Sequence, residues 1–233
     1  MDRGVCVCSG DYSCYRFDDD KGNKFHEMSI SGSCAYTMVT NACSGSDELP
    51  PDLFVIDVVF ERESMNIRGS YAKVLHITNV ASGEFESYVL KQGYRVIHNA
   101  IRISVNKTPT VYDGFSAVQI VESGEQTPDD WDVSGNLIKI TFENGYDVLW
   151  DGVKMFKIIA PIRHQEETPC GLCGNNDGQR PDIRTGPHNE DWGCPGKQVD
   201  LTFQSQAPNQ QTLINSWYSE ITSDSEACQL ECL

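Results

Sequence analysis

The sequence predicts an all-β protein: a two-sheet antiparallel β-sandwich stapled by disulfides, with a long irregular calcium-binding loop and a short C-terminal helical tail. Between Leu53 and Pro161, short segments rich in Val, Ile, Tyr and Phe alternate with turn signals. No convincing amphipathic helix precedes residue 207, and the expected helix runs from about Thr212 to Leu230. Many short strands separated by turns are typical of a sandwich.

Eight segments of this region have the composition of strands, and the turns between them support the count. In 137–142, LIKITF, successive residues would point to opposite faces of a sheet. Asn144-Gly145 and Asp151-Gly152 are hairpin signals between two such segments. The predicted strands are Phe54–Arg62, Tyr71–Val80, Phe85–Lys91, Tyr94–Val105, Phe115–Glu122, Leu137–Glu143, Tyr146–Trp150 and Met155–Pro161.

The composition indicates an extracellular protein. Ten cysteines in 233 residues, an even number, point to an oxidising compartment and secretion. Residues 1–11, MDRGVCVCSGD, contain no apolar signal-peptide core, so we expect a removed leader or an excerpt of a longer chain. No run of about 18 apolar residues occurs, and no transmembrane helix is expected. The net charge of −16 disfavours nucleic acid and anionic lipid as partners.

The stretch Cys170–Asp182, CGLCGNNDGQRPD, combines two thiols with short oxygen-bearing side chains around two glycines. Calcium binds six to eight oxygens at about 2.3–2.6 Å, and glycines allow a backbone to turn such oxygens inward. The segment therefore predicts a disulfide anchor beside a Ca²⁺-binding loop. The residues that offer oxygens are Asn175, Asn176, Asp177 and Asp182.

Three other interpretations of the CGLC sequence stay open. A zinc ribbon would need a second CxxC or paired histidines, whereas the five histidines are scattered. A thioredoxin-like redox site would need a strand that feeds a helix, whereas a loop rich in Gly, Asn and Asp follows Cys173. The third interpretation is a disulfide beside a turn that is merely solvated.

The order of several motifs resembles one protein family. The motifs are Cys8 opening CSGD, Phe17-Asp18, GSCAY at 32–36, Cys43, CGLCGNNDG at 170–178 and NSW at 215–217. In this order the chain resembles the von Willebrand factor type D (VWD) domain over nearly its whole length. The resemblance implies one domain over residues 1–233, with the β-sandwich at about 8–161 and the CGLC loop and tail at about 162–233.

The family pattern also implies disulfide pairings. It suggests Cys8 with Cys173, Cys43 with Cys170, and Cys34 with a tail cysteine, Cys228 in preference to Cys232. Cys34 and Cys43 stand nine residues apart, which suits opposite ends of one strand. The remaining cysteines allow three pairings, of which one is Cys14 with Cys194 and Cys6 with Cys232.

The same resemblance implies a calcium site. Asp18 would supply a carboxylate from the N-terminal segment, and Asn175, Asp177 and Asp182 would supply oxygens from the loop. The chain departs from the family in two places. Ile183 stands where many members have a second carboxylate, and the run Asp18-Asp19-Asp20 leaves Asp19 or Asp20 as a substitute ligand.

Type D domains act mostly as structural or interaction modules, and the resemblance implies the same here. We expect contacts with extracellular proteins or self-association in a secreted matrix, mucus, egg or adhesive protein, with no membrane insertion. The sequence contains no motif of a known catalytic site, so an enzyme is not expected. Two alternatives remain: a luciferase-like oxidase of a small luciferin, and CxxC-dependent disulfide exchange during multimerisation.

Asn106-Lys107-Thr108 is a sequon for N-glycosylation at a predicted strand end. Pro109 follows directly, which lowers the expected occupancy. A glycan at Asn106 would be compatible with a secreted glycoprotein.

Overall fold

The computed structural model describes residues 4–9, 13–17, 28–30, 34–43, 49–62, 69–112, 115–122, 135–162, 169–176, 217 and 219. Within these ranges all regular structure is β-strand, and no helix is long and apolar enough to cross a membrane. The strands are β1 (Val5–Cys8), β2 (Ser13–Tyr15), β3 (Met28–Ser29), β4 (Ala35–Thr40), β5 (Phe54–Arg62), β6 (Ser70–Ala81), β7 (Glu84–Lys91), β8 (Arg95–His98), β9 (Ile101–Ile103), β10 (Thr110–Tyr112), β11 (Ser116–Glu122), β12 (Asn136–Phe142), β13 (Asp147–Trp150) and β14 (Phe156–Ile159).

Two antiparallel sheets pack face to face, as the sequence predicted. One has eight strands in the order β10-β11-β12-β13-β14-β1-β2-β3, and the other has six in the order β4-β5-β6-β7-β8-β9. Phe54 of the six-stranded sheet lies 4.6 Å from Tyr146 and 5.3 Å from Phe142, measured between ring centroids. Phe60 meets Phe156 at 6.3 Å. These aromatic contacts between the sheets bury large apolar surfaces and stabilise the sandwich.

The strand predictions between residues 54 and 159 are confirmed, with one correction. The predicted strand Tyr94–Val105 is two strands, because Asn99 and Ala100 adopt positive φ angles of 45° and 66°. They form a two-residue turn that connects β8 to β9. Strands β1 to β3 and β10 were not predicted, and β4 was suggested only by the spacing of Cys34 and Cys43. Most are two to four residues long, so pairing with neighbouring strands rather than local composition defines them.

Both predicted hairpin turns are confirmed. Asn144-Gly145 connects β12 to β13, and Asp151-Gly152 lies between β13 and β14. Asp151 fixes the second turn, since its Oδ1 accepts backbone N–H bonds of 2.8–2.9 Å from residues 153, 154 and 155. The predicted helix at 212–230 lies outside the described residues except for positions 217 and 219.

A buried polar network joins the two sheets around Glu86 of β7, which is 3% exposed. Its Oε1 accepts hydrogen bonds from Ser116 Oγ at 2.5 Å and from Tyr88 Oη at 3.1 Å. His98 Nε2 lies 3.2 Å from the same oxygen, and Asn79 Nδ2 donates to Oε2 at 3.4 Å. Burial raises the pKa of Tyr88 far above its usual value, so its hydroxyl keeps its proton and donates. Because Ser116 belongs to β11, the network links opposite sheets.

Candidate functional site at the CGLC turn

The CGLC turn, Cys170–Cys173, adds to the six-stranded sheet along the outer edge of β4. Cys170 and Thr40 exchange two backbone hydrogen bonds of 2.8 Å. Leu172 N donates to the carbonyl of residue 37 at 3.1 Å, and Cys173 N donates to the carbonyl of residue 38 at 2.8 Å. The edge of β4 that faces away from β5 is therefore covered by the chain itself.

Gly171 allows this close approach. Its φ is 122°, and a Cβ at this position would lie 2.4 Å from the carbonyl oxygen of Met38. The obstructing atoms belong to the backbone of β4, which cannot turn aside as a flexible side chain could. The glycine of CGLC is thus required by the contact with β4.

Two of the predicted features of the cysteine framework are confirmed. Cys43 is bonded to Cys170. Cys34 and Cys43 flank β4 at its two ends, as their spacing suggested. Cys34 is itself disulfide-bonded. The other six described cysteines pair among themselves, so its partner lies outside the described residues. None of the seven described cysteines is free.

The other pairings implied by the family pattern are wrong. Cys6, not Cys8, is bonded to Cys173, and Cys8 is bonded to Cys14. Cys8 and Cys14 are directly opposite in the register of β1 and β2, with Cα atoms 4.1 Å apart. The suggested pairings of Cys6 with Cys232 and of Cys14 with Cys194 are therefore also wrong.

The N-terminal segment lies directly against the CGLC loop. Phe17 N donates to the carbonyl of Cys173 at 2.9 Å. Asn176, buried with a φ of 52°, covers Gly4 so closely that a Cβ on Gly4 would lie 2.0 Å from Asn176 Oδ1. Phe17, which precedes Asp18, is thus hydrogen-bonded to Cys173, which lies two positions before Asn175.

Only one of the four predicted calcium ligands lies among the described residues. Asn175 is half-buried beside this junction, whereas Asp18, Asp177 and Asp182 lie outside the described residues, as do Asp19 and Asp20. In the described part of the chain, no group of three or more His, Cys, Asp or Glu side chains could hold a metal ion. The chemistry of the predicted donors, carboxylate and amide oxygens, fits calcium, and the contact between Phe17 and Cys173 brings the two donor-bearing segments together.

The tail contributes to the same edge of the sandwich through the NSW motif. Trp217, 4% exposed, accepts a hydrogen bond from the backbone N of Thr37 at 2.8 Å, and Ser219 N donates to the carbonyl of Ala35 at 3.0 Å. Asp57 of β5 is buried here and accepts a 2.7 Å bond from Thr37 Oγ1. Burial raises the pKa of Asp57, and the bonds from Thr37 and Ser219 offset part of that rise.

This raised pKa predicts a pH-dependent stability. An ionised Asp57 costs stability above its raised folded pKa, and that cost disappears as the pH falls towards the unfolded value of 3.8. Asp57→Asn keeps an acceptor for Thr37 and should be more stable than the wild type at pH 7, with a difference that shrinks on acidification. Urea unfolding between pH 4 and pH 7.5 measures it. Thr37→Val, which removes a bond that lowers the pKa, should steepen the profile; parallel profiles for wild type and Asp57→Asn would contradict the prediction.

The buried network around Glu86 contains a serine, a histidine and a carboxylate, which invites comparison with a hydrolase triad. In a triad the serine bonds to the histidine, which in turn bonds to the carboxylate. Here Ser116 donates to Glu86, and all three side chains are less than a tenth exposed. The arrangement is that of a structural network that joins two sheets.

The sequon asparagine is accessible. Asn106 is exposed just after β9, and its carbonyl accepts a 2.7 Å bond from Ile120 N, which anchors the backbone and leaves the side chain outside. Glycosylation at Asn106 stays a prediction.

Comparison with known protein families identifies the family of this chain. The model of the von Willebrand factor type D domain matches residues 6–189, which is well over half of the chain. The chain belongs to the von Willebrand factor type D domain family. This type D domain is secreted or extracellular, in agreement with its disulfides.

Similar proteins are much longer than this type D domain. Zonadhesin of Homo sapiens is 27% identical over 185 residues, which cover 76% of this chain and 6% of that protein. Zonadhesin of Oryctolagus cuniculus is 26% identical over 188 residues, covering 80% and 7% respectively. Alpha-tectorin of Homo sapiens is 26% identical over 250 residues, covering all of this chain and 10% of that protein. The chain therefore spans a tenth or less of the length of these relatives.

Two residues that shape the site in this type D domain were missed by the sequence analysis. Gly4 must lack a side chain because a Cβ there would clash with Asn176. Asp57 accepts hydrogen bonds from Thr37 and Ser219 beside the tail. The contacts of Gly4 with Asn176 and of Asp57 with Ser219 join residues more than 150 positions apart, and Thr37 is 20 positions from Asp57, so no local pattern could indicate them. The only available signal for Asp57 was a charged residue in the otherwise apolar run FVIDVVF.

Proposed function

We propose that this chain is a calcium-stabilised, disulfide-stapled module that mediates protein–protein contacts or assembly in a secreted matrix, mucus, egg or adhesive protein. The observation that carries the proposal is the junction of Phe17 with Cys173, reinforced by the Cys6–Cys173 disulfide. The great length of zonadhesin and alpha-tectorin relative to this chain supports a role as one module of a larger protein.

The proposed cation would join two segments that are distant in sequence. Asp18 would bind it from the N-terminal side, and Asn175, Asp177 and Asp182 from the loop. In a chain with a net charge of −16, a divalent cation would neutralise carboxylates that otherwise repel one another. Bound calcium would then hold the N-terminal strands to the CGLC loop at a second point beside the disulfide.

The disulfides favour a structural role for CGLC over disulfide exchange. Cys170 is bonded to Cys43 and Cys173 to Cys6. Both loop cysteines are at most 1% exposed, and exchange needs a thiolate to reach the sulfur that it attacks. We therefore propose a non-enzymatic, structural and interaction role.

Thermal unfolding of the non-reduced protein tests the calcium proposal. A ligand that binds only the folded state at a hundred times its Kd stabilises it by about 2.7 kcal/mol, a shift of several degrees in Tm. We expect such a shift between calcium and EGTA in the wild type and its loss in Asp177→Ala. Asp52→Ala, which removes an exposed carboxylate elsewhere, should keep the shift.

Sedimentation of the same samples tests the interaction role. Association with itself or with an extracellular partner that weakens in EGTA and in Asp177→Ala, but not in Asp52→Ala, is the expected result. An unchanged Tm in EGTA would contradict calcium stabilisation. A protein that stays monomeric and binds no extracellular partner would contradict the role in assembly.

A further inference from the structure

One part of this acidic molecule is basic. Residues 69–112, from β6 to β10, carry five Lys or Arg side chains but only two acidic ones, Glu84 and Glu86. Glu86 is buried in the network between the sheets. The whole chain has a net charge of −16, so this region departs strongly from the rest. A negatively charged partner would meet the least repulsion here.

Strand register gathers three of these cations on the outer face of the six-stranded sheet. Lys91 of β7 is directly opposite Arg95 of β8, and Arg102 of β9 is opposite Ile97. Their strand neighbours Tyr88, Leu90, Val96 and His98 are buried towards the core, so the three cations and Ile97 point outward. We call Lys91, Arg95 and Arg102 the basic row.

Within the described part of the chain, the basic row has no acidic partner. Like charges directly opposite each other destabilise a strand pair, and Lys91 opposite Arg95 is such a pair. In contrast, Lys73 pairs with Glu61 at 2.6 Å, and Lys107 pairs with Glu122 at 2.8 Å. Among the described residues, the side chains of the basic row form no comparable ion pair. The sheet thus keeps an unfavourable charge pair that an anionic partner would relieve.

The basic row adjoins β9, the last strand of the six-stranded sheet among the strands that the structure describes. Asn99 N donates to the carbonyl of Ser87, and the turn at Asn99-Ala100 makes His98 and Ile101 the hydrogen-bonded pair that closes the β8–β9 hairpin. Bonded and non-bonded pairs alternate along antiparallel strands, so Arg102 directs its N–H and C=O away from β8. The opposite edge of this sheet, β4, is covered by the CGLC turn and by residues 217 and 219.

Apolar side chains on β9 define the other face of this edge. Ile101 is 69% exposed, and Ile103, its neighbour on the same face, is half-buried. Strand β9 therefore presents Ile, Arg and Ile in alternation. An added strand that fits this pattern places apolar side chains beside the isoleucines and acidic side chains beside Arg102.

We propose that β9 is a docking edge for an extended segment of a partner protein in which acidic and apolar residues alternate. The segment adds to the sheet as a seventh strand through the backbone of Arg102, and its carboxylates lie over the basic row. This inference rests on the proposed role in protein–protein contacts and names the chemistry of the partner. The isoleucines favour a polypeptide over a sulfated glycan, which would use the cations but not the apolar face.

Peptide binding tests the proposal with the full chain in calcium. The probe is the blocked peptide VEVEVEVEV, with VKVKVKVKV as its counterpart, and binding is followed by fluorescence anisotropy. We expect the wild type to bind only the Glu peptide. Arg102→Glu should weaken that binding at least about tenfold and should bind the Lys peptide instead. Lys107→Glu makes the same change in net charge in the loop between β9 and β10, outside the basic row, and should bind like the wild type.

Lys91→Glu separates docking from folding. It replaces a repulsive pair with an attractive one opposite Arg95, so the Tm should rise by up to about 3 °C while binding of the Glu peptide weakens. Equal losses of Glu-peptide affinity in Arg102→Glu and Lys107→Glu would overturn the proposal. Binding of heparin through the basic row without binding of the Glu peptide would overturn it too. Failure of the wild type to bind the peptide, with calcium-dependent association intact, would overturn this inference alone and leave the proposed function standing.

Discussion

Removing the Cys6–Cys173 disulfide should destabilise the protein by about 5 kcal/mol, the largest effect that we expect among the three described disulfides. The two cysteines are separated by 167 residues, and the entropy that a cross-link removes from the unfolded chain grows with the length of the closed loop. In Cys6→Ser/Cys173→Ser, the N-terminal strands would also lose their covalent attachment to the CGLC turn. Chemical denaturation under non-reducing conditions measures the change in free energy of unfolding.

The Cys8–Cys14 disulfide provides a matched control, because its removal also replaces two buried cysteines by serine, one of them in β1. It closes a loop of only six residues and should contribute about 2 kcal/mol on the same model. The double variant Cys8→Ser/Cys14→Ser should therefore be the milder one. If it were the more destabilised of the two, the long-range cross-link would start at Cys8, as the family pattern first implied, and not at Cys6.

The sequence predicted the strands of the sandwich well where their local composition is typical of β-structure. The run from β5 to β7 is rich in Val, Ile and Tyr, and its predicted bounds agree with the observed ones within about a residue. Strand β2, with only Ser, Cys and Tyr, has no comparable local signal and is defined by its pairing with β1 and β3. Local composition therefore predicts the sandwich centre but not its N-terminal edge.

The cysteine pairing could not be predicted for a related reason. Cys6 and Cys8 lie two positions apart in β1, so their side chains point to the same face of the sheet. Sequence spacing alone therefore allows either Cys6 or Cys8 to bond to a cysteine of the CGLC turn. The register of β1 with β2 decides between them, since it places Cys14 opposite Cys8 and leaves Cys6 for Cys173.

The candidate site was predicted in outline only. The sequence motifs identified the CGLC turn and its loop of oxygen donors, and the structure adds why Phe17 belongs with them: its backbone N bonds to Cys173. The roles of Gly4 and Asp57 depend on contacts with residues 176 and 219. Such contacts arise only when the chain has folded, so composition and spacing do not identify the residues that make them.

Glu86→Ala should destabilise the protein by about 3–5 kcal/mol, although the substitution is far from the CGLC turn. It removes the carboxylate oxygen that Ser116, Tyr88 and His98 share. These buried polar groups would lose that hydrogen-bond partner, and burying a polar group without a partner is costly. Chemical denaturation measures the loss. Glu84→Ala, an exposed position on the same strand, should change the free energy of unfolding by no more than about 0.5 kcal/mol.

A double-mutant cycle tests whether the network couples the two sheets. Ser116 lies on β11 and Glu86 on β7, and a 2.5 Å hydrogen bond joins them. We expect Glu86→Gln and Ser116→Ala to be non-additive by about 0.5–3 kcal/mol, because each removes part of the same interaction. Additive effects would mean that Glu86 is held by its own sheet alone, through Tyr88, His98 and Asn79. Coupling would instead show that a buried carboxylate stabilises the packing of one sheet on the other and fixes their relative position.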